Sequence, residues 1–249
     1  MPGTRRQPRR MAAAVLVIVL GAGLAVALAA RHGTGDGSGG SRAAGRLSPA
    51  PRSAPDAGSP ELPHVDLAGL RWSDYYGVEL PASLAAGPRD TSGGLASGFA
   101  DTPLGALLAA VNIGVRANAQ WGPAIFGPTI RGQVTGSDAA VLLASCQSGY
   151  AQASQAAHIS GGRPLGDAYV AEEAFRWAAY TPSDATVDLV SAGPGSQGTT
   201  VRATTRIEVV WSDADWRVAA PPGGDWGNSA AELSSLAGYT TFPGQGGGR

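Results

Sequence analysis

Residues 200–218, Thr-Val-Arg-Ala-Thr-Thr-Arg-Ile-Glu-Val-Val-Trp-Ser-Asp-Ala-Asp-Trp-Arg-Val, decide the fold. Val201, Ala203, Thr205, Ile207, Val209 and Trp211 fall on one face, and Thr200, Arg202, Thr204, Arg206 and Glu208 on the other. Strict alternation of this kind is the mark of a strand with one side in the core. Residues 212–215 then supply turn-forming Ser and Asp, and Trp216, Arg217 and Val218 return as a short antiparallel strand.

Upstream, residues 175–180 and 185–190 are two further strand candidates, the second separated from Thr200 by a Gly- and Pro-containing loop at 192–198. The pattern predicts a meander of three or four antiparallel strands, whose apolar face needs a cover. Two helices are available to provide it. The first has Thr102 as N-cap and Pro103 at its first position, with Leu104, Leu107, Leu108, Val111 and Val115 at amphipathic spacing. The second starts at Ser137 or Asp138, runs to about residue 155, and turns Val141, Leu142, Ser145 and Cys146 inward, with Asp138 complementing its positive end. A short helix is predicted at 229–236. The outcome is an α+β fold, helices packed on a curved antiparallel sheet.

Residues 70–84 carry Trp72, Tyr75 and Tyr76 where the folded part begins. Two readings stand: an arm packed on the domain surface, or an exposed aromatic patch that docks a partner. Trp72, Tyr75, Tyr76, Trp211 and Trp216 are accordingly the partner-contact residues the sequence suggests.

Before the folded part, residues 11–30 contain no charge, and Arg5, Arg6, Arg9 and Arg10 precede them. About twenty apolar residues span a bilayer core. The arginines set the topology, keeping the N-terminus (residues 1–10) cytoplasmic and everything beyond the span outside. The alternative is a secretory signal cut after Ala29 or Ala30, because Ala27 and Ala29 form an A-x-A site. Residues 31–61 are Gly, Ser, Pro, Ala and Arg with almost no large apolar side chain. Such a segment cannot offset the entropy of ordering, and reads as a linker with a span of roughly 30 Å. The division is thus a basic tail (1–10), a transmembrane helix (11–30), a linker (31–61), an extracytoplasmic domain (62–243) and a Gly-rich tail (244–249).

All 18 basic residues are Arg, so lysine-dependent chemistry such as a Schiff base or a phosphate-loop amine is excluded. A net charge of -1 argues against direct binding of nucleic acid, which draws on a concentrated basic face. Cys146 is the single cysteine; no internal disulfide can form, and it reads as a small buried hydrophobe. His32, His64 and His158 lack partners at metal-ligand spacing. Asp213 and Asp215 are explained by a hairpin turn, Glu172 and Glu173 by a wet surface, and Asp188 with Glu208 by like charges facing one another on a solvated sheet face. No catalytic constellation, metal site or cofactor site is expected.

Residues 99–115 (FADTPLGALLAAVNIGV), 185–190 (ATVDLV), 209–222 (VVWSDADWRVAAPP) and the ending Leu236, Ala237, Gly238, Tyr239 with Phe242 resemble an actinobacterial family of single-pass membrane proteins of integrative conjugative elements. That family is similar in layout to TcpC-like components of conjugation machines, with a cystatin-like or nuclear-transport-factor-like cone. The resemblance implies a non-enzymatic scaffold of a type IV secretion-like transfer apparatus. It works through contacts with other transfer proteins, self-association included, at the cell membrane. TcpC-like proteins carry two such domains and this chain has room for one, so their oligomeric arrangement does not carry over. From a different class, an enzyme or ligand binder using the concave face of the cone would employ Tyr169, Asp188 and His158.

Overall fold

The computed structural model of the chain describes residues 62–195 and 198–244. The expectations for Arg5, Arg6, Arg9 and Arg10, the apolar run, the linker and the end of the Gly-rich tail lie outside the described residues. Among the described residues no helix is long and apolar enough to cross a membrane.

The chain opens with a hairpin, β1 (Arg71–Tyr75) and β2 (Val78–Ala82), followed by helices α1 (Pro103–Arg116) and α2 (Pro123–Gln133). A two-residue strand β3 (Val134–Thr135) leads to α3 (Ala139–Ala156), and the meander β4 (Ala171–Tyr180), β5 (Asp184–Pro194), β6 (Thr200–Ser212) and β7 (Asp215–Ala219) follows. Strands β8 (Ala230–Glu232) and β9 (Thr240–Thr241) complete it. The fold is α+β. Its main sheet has seven strands, in the order β3-β7-β6-β5-β4-β9, with β8 beside β6. It is mixed rather than purely antiparallel, because β3 runs parallel to β7.

Helix α1 is the centre of the molecule. Thr102 caps it as expected, its side chain accepting from the Gly105 N–H, and Pro103 occupies the first position. The expected amphipathic character is corrected: every residue from Gly105 to Arg116 is buried. The reason lies in the positions between the leucines, which are Ala106, Ala109, Ala110 and Gly114, small enough for neighbours to close in on every side. A helix apolar all round belongs inside the core. Its open C-terminal carbonyls, a liability in a dry interior, accept indole N–H groups, Val115 from Trp121 and Ala117 from Trp226.

Period two holds in the meander. Val187, Leu189, Ile207, Val209 and Val218 are fully buried against the helices, while Arg206 and Glu208 face out. Asp213 and Ala214 both have positive φ, which closes the β6–β7 turn, and the Asp215 carboxylate accepts the N–H groups of Gly98, Phe99 and Trp216. It therefore ties the segment leading into α1 to the sheet as well as serving the hairpin.

Several expectations change. Residues 70–84 are a true hairpin rather than an arm, closed by Tyr76 (φ 51°) and Gly77 (φ 86°), the left-handed pair that a two-residue turn requires. A Cβ at Gly77 would sit 2.4 Å from the Ala168 carbonyl oxygen, so the glycine also lets the hairpin tip dock. Helix α2, with Gly127, Pro128 and Gly132 inside it, is absent from the sequence reading. In α3, Leu142, Cys146 and Tyr150 point inward while Val141 and Ser145 are exposed. Asp138 stands at the N-cap position of that helix, as expected, and its carboxylate accepts from the Gly223 N–H. The helix predicted at 229–236 is instead a 3₁₀ turn ending at Ser229 and then strand β8, because the edge of β6 at Ala203–Thr205 takes Ala230–Glu232 as a partner.

Helix α1 packs so closely on the segment before it that a Cβ at Gly105 would lie 2.0 Å from the Ala100 carbonyl oxygen. In an ordinary helix Gly→Ala stabilises by about 1 kcal/mol. Here Gly105→Ala is expected to destabilise by about 2 kcal/mol or more, read as a lowered urea midpoint.

Candidate functional site

The face of the sheet opposite α1 bears a cleft of about 610 Å³. It is floored by β4, β5 and β6 and walled by the segment after β7. Across its floor runs one register row, Arg176 on β4, Asp188 on β5 and Arg206 on β6, each directly opposite the next. Arg206 donates through Nε (2.8 Å) and Nη2 (3.2 Å), and Arg176 through Nη2 (2.8 Å), to the two oxygens of the single Asp188 carboxylate. The Asp188 side chain is 6% exposed, those of Arg176 and Arg206 are 47% and 54% exposed. Burial alone pushes the Asp188 carboxyl up, yet the hydrogen bonds from Arg206 and Arg176 outweigh it and hold the group below its ordinary range. The Tyr239 ring lies 4.6 Å from the Arg176 guanidinium carbon, and its hydroxyl is 3.3 Å from Thr204 Oγ1.

This arrangement corrects the expectation that Asp188 opposes Glu208. Asp188 faces Arg206, and Glu208 faces Thr186. A β5–β6 turn centred one residue later would have moved the pairing by two, which is the whole difference. The wet-surface reading of Glu172 and Glu173 is likewise overturned. Glu173 pairs with Arg202, and Glu172 is fully buried with the Ser191 hydroxyl donating to its carboxyl. A β-bulge between Glu172 and Ala174 turns the side chain inward, an irregularity that alternation cannot anticipate.

The five aromatic residues suggested as partner contacts separate. Trp216 is 1% exposed and donates its indole N–H to the Ala100 carbonyl, so it is a structural anchor and not a contact surface. The cause is register: Trp211 lies directly opposite Trp216, and cross-strand neighbours share a face. Trp211 is half-buried against it in an edge contact of 5.4 Å. Trp72 is half-buried, edge-on to Phe242. Tyr76 is exposed, stacked on buried Trp121. Tyr75 is half-buried beneath Arg116, whose guanidinium carbon lies 4.4 Å from the ring centre. Of the residues named for a ligand site, Asp188 lines the cleft, whereas the exposed Tyr169 and His158 do not.

Two buried polar groups are unusual. Among the described residues Arg116 has no carboxylate partner and its Nε no acceptor; its Nη1 donates to the backbone and side-chain oxygens of Asn112. Burial pushes its pKa down and raises that of the Tyr75 phenol to about 12. Burial also raises the Cys146 thiol to about 12, in keeping with a packed hydrophobe. No group of three or more His, Cys, Asp or Glu side chains placed to hold a metal ion occurs among the described residues.

Fold and cleft together define an α+β domain with a preorganised charged surface on its open sheet face. By sequence, residues 35–241 match the model of a family described as a domain of unknown function, DUF8175, and the chain belongs to that family. No curated protein and no solved structure matches it.

Burial raises the Glu172 carboxyl from its ordinary 4.5 to about 8. Between these values the unfolded chain gives up a proton that the folded chain retains. Stability therefore falls as pH rises from about 4.5 to about 8 and levels off above, by an amount on the order of a few kcal/mol. Glu172→Gln is expected to flatten that slope and to be more stable than the native chain at pH 8. Thermal midpoints across the range check it; an unchanged slope refutes the assignment to Glu172.

Proposed function

We propose that the chain is a non-enzymatic, membrane-anchored assembly component of a conjugative, type IV secretion-like apparatus. Its extracytoplasmic domain acts through protein contacts. The carrying observation is the asymmetry of the sheet. The side under α1 is filled by Leu107, Leu108, Ile113, Leu189, Ile207 and Trp216, whereas the opposite side presents a charged cleft to solvent. A domain that packs its core on one side of a sheet and leaves the other side shaped and charged offers that open face for contact. The layout of helices on a meander supports the resemblance to the cystatin-like and nuclear-transport-factor-like cones. The apolar run at 11–30, preceded by Arg5, Arg6, Arg9 and Arg10, supports a single-pass tether with the domain outside the cell membrane.

One observation favours a second reading. A cleft of about 610 Å³ is also the size of a small-ligand site, and Asp188 is among its walls.

Two experiments test the proposal. Photo-crosslinking from position 208 in cells expressing the apparatus is expected to capture other transfer proteins, and capture from the exposed Leu84 to be weaker; no transfer protein captured from position 208 overturns the assembly reading. Mass spectrometry of the chain from membrane fractions is expected to find an N-terminus at Met1 or Pro2. A terminus at Ala30 or Arg31 refutes the tether.

A further inference from the structure

We infer that the Arg176–Asp188–Arg206 row is a receptor for one carboxylate, an Asp or Glu side chain presented by an otherwise uncharged extended segment of a partner protein. The inference rests on the assembly reading and names the chemistry of its contact.

Three observations carry it. First, two guanidiniums share one carboxylate. Asp188 takes the Arg206 Nε and Nη2 and the Arg176 Nη2, so Arg206 Nη1 and Arg176 Nε and Nη1 have no protein acceptor among the described residues. Both side chains are about half exposed at the cleft, and among the described residues neither forms an ion pair other than that with Asp188. Arginine donors in a fixed fork match carboxylate oxygens bidentately and form charge-assisted hydrogen bonds, about twice as strong as neutral ones.

Second, the donors are held in place before any ligand arrives. Asp188 is anchored on a central strand, and Tyr239 stacks behind Arg176. Little side-chain entropy is left to lose on binding, which is the usual cost of recruiting arginine. Third, the wall from the end of β7 onward is uncharged, with Ala219, Ala220, Ala230 and Ala231 beside Pro221, Pro222 and Trp226, and so suits a segment that carries no charge besides the one carboxylate.

The same lining restricts the ligand. Asp138 and Glu208 also face the cleft, so with Asp188 there are three acids against two arginines. Asp138 is engaged by the Gly223 N–H, while the Glu208 carboxylate has no hydrogen-bond or ion-pair partner among the described residues and lies close enough to Arg206 to bias it electrostatically. A run of acidic residues would be repelled by this rim. A single carboxylate seated on the free guanidinium edges gains its contacts at short range and meets only one uncompensated acid, Glu208. The pairing is therefore selective and modest in strength.

The test titrates the purified full chain with the peptide Ala-Gly-Ser-Glu-Ser-Gly-Ala, capped at both ends, and with its Gln counterpart, by ligand-observed NMR. The Glu peptide is expected to bind at least fivefold more tightly than the Gln peptide. Arg206→Gln should reduce that affinity at least fivefold, and Arg206→Lys, which keeps the charge but loses the fork, should not restore it. Glu208→Gln, at an exposed position remote from the core, should tighten binding about threefold. Equal affinity for both peptides, or no effect of Glu208→Gln, overturns the inference. Acetate or phosphate binding as tightly as the peptide also overturns it, by making the row a site for free small anions. Loss of peptide binding with the position-208 crosslinks retained refutes the carboxylate alone; loss of those crosslinks refutes the assembly reading.

Discussion

A helix that has no solvent-facing side fixes this molecule. Once α1 is dry on every face, something must close over each: the sheet on one side, the β1–β2 hairpin and α2 on others. Its ends must be served from within as well. Thr102 and Pro103 do this at the start, and the indoles of Trp121 and Trp226 at the finish. Removing any one of these covers exposes apolar surface that nothing else can reach, so the elements around α1 stand or fall together. Arg116 shows how strict the enclosure is. Its guanidinium is held by Asn112 and lies over the Tyr75 ring, with no carboxylate paired to it among the described residues.

What the sequence disclosed follows from the range of each signal. The alternation at 200–218 survives into β6 and β7 because these strands have one wet and one dry face, and the Thr102-Pro103 start of α1 survives because capping is local chemistry. Helix α2 is invisible beforehand for the opposite reason. Gly127, Pro128 and Gly132 argue against a helix, and only contacts from Phe126, Ile130 and Gln133 override them. Strand β8 is decided by the open edge of β6, which lies some thirty residues away in sequence, while its own Ala-Ala-Glu favours a helix.

The site was half legible. Alternation put Arg206 and Glu208 on the outward face and Asp188 among the strand residues, so the ingredients of the cleft were visible. Their pairing was not, because register depends on where a Gly-rich loop turns, and such a loop accepts several centres. Tyr239 could not be assigned a role from its neighbours, since it meets Arg176 only through the fold.

The edges of the main sheet have a further consequence. A sheet normally ends in a row of unpaired amides that can template another copy. Here one end is β3 and the other β9, each two residues long, and the part of β4 that β9 leaves open is interrupted by a bulge between Trp177 and Ala179. Neither border offers a straight ladder long enough for a second molecule to extend. Copies crowded together at high local concentration would thus find no long backbone ladder on the main sheet to extend, and an association through that sheet would have to use side chains.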